Sequence, residues 1–127
     1  MSQPILEFSI QPRLYETDAL GHINNVSISG WLELGRTTLL ERMASDHPAA
    51  SVDAWVVVSV LAEFAAETFY GEDVLLRITE VTYGTTSMTI GCELWQGDKL
   101  TVRGQSVLVH RDPATGAKRP IPEDLKP

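Results

Sequence analysis

The sequence predicts an α+β domain in which an antiparallel sheet of about five strands wraps around one long helix. Three observations carry this. Ile28, Trp31, Leu32, Gly35, Leu39 and Met43 recur at spacings of three and four, the apolar stripe of a single amphipathic helix. Leu6, Phe8 and Ile10, and later Met88, Ile90, Cys92 and Leu94, alternate with more polar residues, as half-buried strands do. The reversals between the later strands are short, which only antiparallel neighbours allow. The 127 residues form one domain, 1–127, large enough to bury a real core.

Taken in order, the first strand covers residues 6–10, and Pro12 then interrupts it at an edge or a bulge. Leu14 and Tyr15 are expected to re-enter the core. A polar stretch, Glu16-Thr17-Asp18-Ala19-Leu20-Gly21-His22, leads into the helix, which runs from about Asn25 to about Ser45. Asn24 and Asn25 stand where an N-cap is wanted, because an Asn side chain accepts a bond from the unpaired N–H groups of the first turn. Gly35 on the apolar face lets a neighbour come close. Asp46, His47 and Pro48 end the helix, and residues 48–51 form a loop.

Residues 54–62 (AWVVVSVLA) are nearly continuous apolar sequence and read as a strand buried on both faces. Ser59 is its polar exception, a satisfied core hydroxyl or a group lining a pocket. Val74, Leu76, Ile78 and Val81 begin the next strand, which Gly84 ends. The strand of Met88 to Leu94 is closed by Gln96-Gly97-Asp98. Leu100, Val102, Val107 and Val109 make the last strand, where Gly104 marks a bulge or close packing. Residues 112–116 turn, and an extended tail follows.

Net charge is −7, with 43% apolar and 21% charged residues. That balance fits a globular domain and disfavours nucleic acid or an anionic membrane surface as partner. No stretch is long enough to span a membrane and the N-terminus has no signal-peptide pattern; with a single cysteine no internal disulfide is possible, and a reducing cytoplasm is the expectation. Cys92 is the single cysteine, lies in strand sequence and is expected to be packed rather than reactive. His22, His47 and His110 are scattered without zinc spacing, so no metal is expected.

The chemistry concentrates just before the helix. Its N-terminus carries partial positive charge and free donors, which suit an oxyanion or a bound acyl oxygen. Asp18, in the turn that delivers the chain there, is a candidate catalytic carboxylate, although a turn Asp often only bonds its own backbone. His22 would orient that turn or is simply a polar residue of it. The side chains of Asn24 and Asn25 cap, while their backbone N–H groups can point at a carbonyl oxygen.

The run Tyr15-Glu16-Thr17-Asp18, Gly21-His22, Asn24-Asn25 and then Glu33 and Arg36 on the helix resembles the 4-hydroxybenzoyl-CoA thioesterase family of hot-dog-fold acyl-CoA thioesterases. The Thr86-Ser87 pair and the closing VLVHRDPATGAKRPIP extend the resemblance to nearly the whole chain. It implies a hot-dog fold and hydrolysis of an acyl-CoA to an acid and free coenzyme A, with no cofactor beyond the substrate. By resemblance Asp18 is nucleophile or general base, with His22 and the Asn25 N–H completing the catalytic set. Tyr15, Gly21, Asn24, Ser59, Thr86 and Ser87 are the implied substrate contacts, the last two near the nucleotide end. Glu33 and Arg36 are expected to form a structural ion pair.

The resemblance also implies a homodimer or dimer of dimers, with each site shared between subunits and an acyl pocket lined by residues such as Trp31 and Val58. Ile28 stands where many members carry a Tyr, which favours an apolar acyl chain over a polar aromatic one. Two other readings stay open: a hot-dog hydratase or dehydratase, and a non-catalytic acyl-thioester-binding or oligomerisation module.

Overall fold

The computed structural model describes residues 3–19 and 21–126, without the Ala49 side chain; Leu20, inside the polar turn, lies outside the described residues. Strand β1 (Leu6–Ile10) is followed by helix α1 (Asn25–Asp46), then β2 (Trp55–Phe64), β3 (Val74–Tyr83), β4 (Ser87–Gln96) and β5 (Lys99–His110). The five strands form one sheet in the order β1-β3-β4-β5-β2, every neighbouring pair antiparallel. The helix lies on one face, as the apolar stripe requires.

The core sits between helix and sheet. Leu76 and Ile78 of β3, Met88, Ile90, Cys92 and Leu94 of β4, and Val102 and Leu108 of β5 turn inward to Ile28, Trp31, Leu32, Leu39 and Leu40. Two glycines set how closely the layers meet. A Cβ on Gly35 would stand 3.0 Å from the Leu76 side chain, and one on Gly104 would stand 3.0 Å from Leu32 Cδ2. Gly104 therefore serves close packing. The bulges of the sheet fall elsewhere, between Val57 and Ser59, Ile78 and Glu80, and Leu94 and Trp95.

On the helix-free face one charged residue per strand falls in register, in the order Glu7, Arg77, Glu93, Arg103, Glu63. Arg77, 3% exposed, bonds Glu7 Oε2 through Nε at 2.9 Å and lies 3.6 Å from Glu93 Oε1. A guanidinium buried that deeply needs such partners.

Three expectations about burial are corrected. Residues 54–62 were expected inside, yet β2 is an edge strand hydrogen-bonded only to β5, and Val57, Val58, Val60 and Leu61 are 42–58% exposed. A Val-rich run reports that a surface is covered, and cannot say by what. Ser59 is exposed with its strand, so it is no core hydroxyl. Leu14 and Tyr15 do not re-enter the core: they project outward at 69% and 76% exposure from a short 3-10 turn. That turn buries Glu16 instead.

Candidate active site

The polar turn before α1 is a small hairpin stitched to the chain that leaves β2. Thr17 bridges Ile23, Asp18 N–H donates to the His22 carbonyl at 2.9 Å, and Gly21 N–H donates to the Asp18 carbonyl at 3.2 Å. Gly21 closes it at φ +80, the left-handed region that favours glycine. Nothing stands within 4 Å of a Cβ there. Glycine is needed for the conformation alone.

Ile23 N–H then donates to the Thr68 carbonyl at 2.8 Å, and His22 bridges Phe69. Gln96 in turn holds Phe69, accepting its N–H at 2.9 Å and donating to its carbonyl at 2.8 Å. The Asp18 turn is thus anchored to the end of β4, and its carboxylate side chain is exposed.

Asn24 is the N-cap, its Oδ1 accepting from Ser27 N–H at 2.8 Å. Asn25 is the first helical residue, so its N–H has no intrahelical partner, and no acceptor for it occurs among the described residues. The capping role therefore belongs to Asn24, and Asn25 supplies a free donor.

His22 does not stand alone. Its Nδ1 lies 3.0 Å from Glu67 Oε2, and its ring meets Phe69 edge-on at 5.0 Å. A carboxylate on Nδ1 fixes the ring's orientation and leaves Nε2 as the other functional atom. Beside this pair opens a groove of about 470 Å³. Ile23, Ile28 and Thr68 form its floor and Asn25, Phe64 and Glu67 its rim. An acyl group could lie here with its carbonyl toward the Asn25 N–H.

Other expected site residues are placed apart. Tyr15 points outward, its ring under the Arg13 guanidinium. Ser59 lies on the exposed edge strand, and Val58 beside it is the residue skipped at the bulge. Trp31 lines no part of this groove: its Nε1 donates to Glu16 Oε2 at 2.8 Å, and it borders a separate groove with Phe8, Ile10 and Leu34. Thr86 accepts the His110 N–H through its carbonyl, and Ser87 starts β4. Ser87 and Gln96, which holds Phe69, are the two ends of β4, so about 30 Å of extended strand separates Ser87 from the end that anchors the Asp18 turn. Arg36 donates to Ser106 Oγ at 3.2 Å across to β5, in place of the expected pair with Glu33.

Glu67, Thr68 and the buried Glu16 were not singled out by their chemistry. Only the fold brings residues 67 and 68 against residues 22 and 23. Glu16 carried one readable signal, a helix whose Trp31 must find an acceptor for its N–H. Cys92 is packed as expected: burial, with Glu93 adding to it, pushes its thiol up to about 12. Among the described residues no three His, Cys, Asp or Glu side chains gather as metal ligands, and no helix is long and apolar enough to cross a membrane.

One long helix laid on a five-stranded antiparallel sheet makes the chain a domain of the hot-dog fold. The match of residues 12–127 to the model of the thioesterase-like superfamily makes it more particular: the chain belongs to that family and is a thioester hydrolase. Among solved structures it is similar to a predicted thioesterase from Bacillus stearothermophilus, at 32% identity and TM-score 0.81 over 94% of this chain and 90% of that one. A thioesterase-superfamily protein from Jannaschia sp. CCS1 aligns at 30% identity and TM-score 0.79 over 92% and 76%. A thioesterase from Thermus thermophilus, crystallised with coenzyme A and zinc, shares the fold at 22% identity and TM-score 0.82 over 95% and 94%. Among curated proteins no sequence matches the chain.

Proposed function

We propose that the protein hydrolyses acyl-CoA thioesters, with the Asp18 turn and the first N–H of α1 as its catalytic centre. The observation that carries this reading is the Asn25 N–H, without a partner among the described residues and flanking the groove at the helix start. The thioester oxygen accepts from it, and the helix dipole adds stabilisation as negative charge develops there. One such donor is worth a factor of about 100 or more in rate.

Asp18 then acts by one of two routes. It attacks the carbonyl, expelling the CoA thiolate and leaving a mixed anhydride that water cleaves, or it takes a proton from the water that attacks directly. Either way the acyl–sulfur bond breaks, water's oxygen ends in the acid, and a proton reaches the thiolate. The thiolate is a stable leaving group, so no strong general acid is required. His22, held by Glu67, orients the turn.

The substrate's coenzyme A is supported by the Thermus relative crystallised with it. In one chain Thr86 and Ser87 lie at the end of β4 opposite the one that anchors the Asp18 turn, and the exposed apolar edge β2 is open to a second copy. A homodimer, or a dimer of dimers, in which each site joins the Asp18 turn of one subunit to the Thr86-Ser87 end of the other accounts for both. A cytoplasmic location accompanies this reading. The test is a screen of acyl-CoA chain lengths with detection of free thiol. Turnover by the wild type that Asp18→Asn abolishes supports the assignment, and equal turnover by both removes Asp18 from it.

A further inference from the structure

We propose that Gln96 is a positioning residue for the hydrolysis: through residues 68–70 it sets where the turn carrying Asp18 stands relative to the start of α1. The inference rests on the reading of that turn as the catalytic centre. Gln96 is the last residue of β4, its backbone paired with Lys99 in the β4–β5 hairpin, and it is 6% exposed. Its side chain reaches off the sheet. Oε1 accepts the Phe69 N–H at 2.9 Å, while Nε2 donates to the Phe69 carbonyl at 2.8 Å and the Glu72 carbonyl at 3.0 Å. A flipped amide would set its oxygen against two carbonyls, so these partners fix one orientation.

Apolar burial does little for the stretch that Gln96 holds, since Phe69 and Tyr70 are 48% and 49% exposed. Yet this stretch carries the turn. Ile23 N–H donates to the Thr68 carbonyl at 2.8 Å, His22 bridges Phe69, and Tyr70 N–H donates to the Gly21 carbonyl at 3.4 Å. The Phe69 ring also meets the His22 ring edge-on at 5.0 Å. From His22 the path closes on Asp18, whose N–H donates to the His22 carbonyl at 2.9 Å. Gln96 thus links the rigid end of the sheet to Asp18 through backbone bonds and one ring contact.

A link of this kind acts on rate. The Asn25 N–H belongs to α1 and Asp18 to the turn, so the spacing between donor and carboxylate depends on how the turn is held. A displacement of about 1 Å in a reacting group can cost a factor of about 100. Ile28 and Phe64, which line the groove, are placed by α1 and β2 and stay where they are. Binding should therefore persist while kcat falls.

The experiment measures kcat by thiol release, with the acyl-CoA turned over fastest in the chain-length screen. Equilibrium binding is measured with a non-hydrolysable CoA thioether of the same chain. Gln96→Met keeps length and loses all three bonds, and Gln96→Glu keeps the acceptor for the Phe69 N–H and loses both donors. In each, kcat is expected to fall roughly tenfold or more while Kd stays within about twofold of wild type. Ile78→Val, in the core at the centre of β3, lowers stability and should keep kcat. Wild-type kcat in a folded Gln96 variant overturns the assignment, as does a parallel loss of binding or an equal loss of kcat in Ile78→Val. Failure of both Gln96 variants to melt cooperatively overturns it too, since Gln96 would then serve the fold alone. Wild-type turnover in Asp18→Asn overturns the Asp18 reading and this inference with it. An inactive Asp18→Asn beside fully active Gln96 variants overturns the inference alone.

Discussion

Trp31 Nε1 donates at 2.8 Å to the carboxylate of Glu16, a residue 5% exposed that also accepts the Arg13 N–H at 2.7 Å. This relationship ties the approach to the Asp18 turn onto the helix that follows it. Glu16 also accepts the Asn24 N–H through its carbonyl, so one residue fixes both ends of the loop. Glu16→Ala strands one buried donor and one half-buried one and is expected to cost about 2–3 kcal/mol of stability, read from urea denaturation. A loss below half of that would show that water reaches these donors.

Asp18→Asn keeps the backbone bonds of the turn and removes the charge. Melting should be unchanged within about 0.5 kcal/mol, while thioester turnover should fall by at least about a hundredfold. Near-normal turnover in a folded protein would place the chemistry elsewhere.

Backbone and side chain separate at the start of α1. Asn24→Ala should cost about 1 kcal/mol by removing the cap on Ser27 N–H. Asn25→Ala should cost less in stability and little in rate, because the donor it contributes is backbone. Gly21→Val forces a branched residue into φ +80, so the turn should shift and turnover should drop more than the melting temperature. Reversed ranks for Asn24 and Asn25 in chemical denaturation would contradict this division.

Glu67→Gln and His22→Asn break the same 3.0 Å contact from its two ends. If Glu67 works through His22, each single change lowers kcat, and the double variant falls no further than the worse single one. Independent, additive losses in the cycle would detach Glu67 from His22.

Val58 is unpaired at the bulge and 58% exposed, so Val58→Lys should leave a single chain's fold alone while blocking pairing at the edge. The expected result is a monomer by light scattering with turnover lost. A particle mass that does not change would move the subunit contact away from β2.

Alkaline pH reports on Cys92. Its ordinary value of 9.0 applies to the unfolded chain, and burial raises it to about 12 in the fold. From pH 9 upward the unfolded state therefore binds fewer protons, and stability falls as pH rises toward 12. Below 9 the thiol contributes no slope. Each proton's share is about 1.4 kcal/mol per pH unit. Cys92→Ala should remove one such share, leaving that of Tyr83, which burial also raises. An identical slope in the variant would show that the thiol ionises in the folded protein.

The sequence by itself determined the helix, from Asn24 to the His47-Pro48 stop, because apolar spacing and cap chemistry are local properties. It also determined the alternating strands and the turn carrying Asp18 and Gly21, whose residue types answer to their own backbone. Tertiary structure decided the rest. Composition could not separate a strand buried inside its own chain from one at an open edge, so the Val-rich β2 came out exposed. Nor could it show that Glu67 and Thr68, far downstream in the chain, face His22 and Ile23. The groove exists only because the chain leaving β2 crosses the start of α1, and such crossings are set by sheet order and register, which no local pattern encodes.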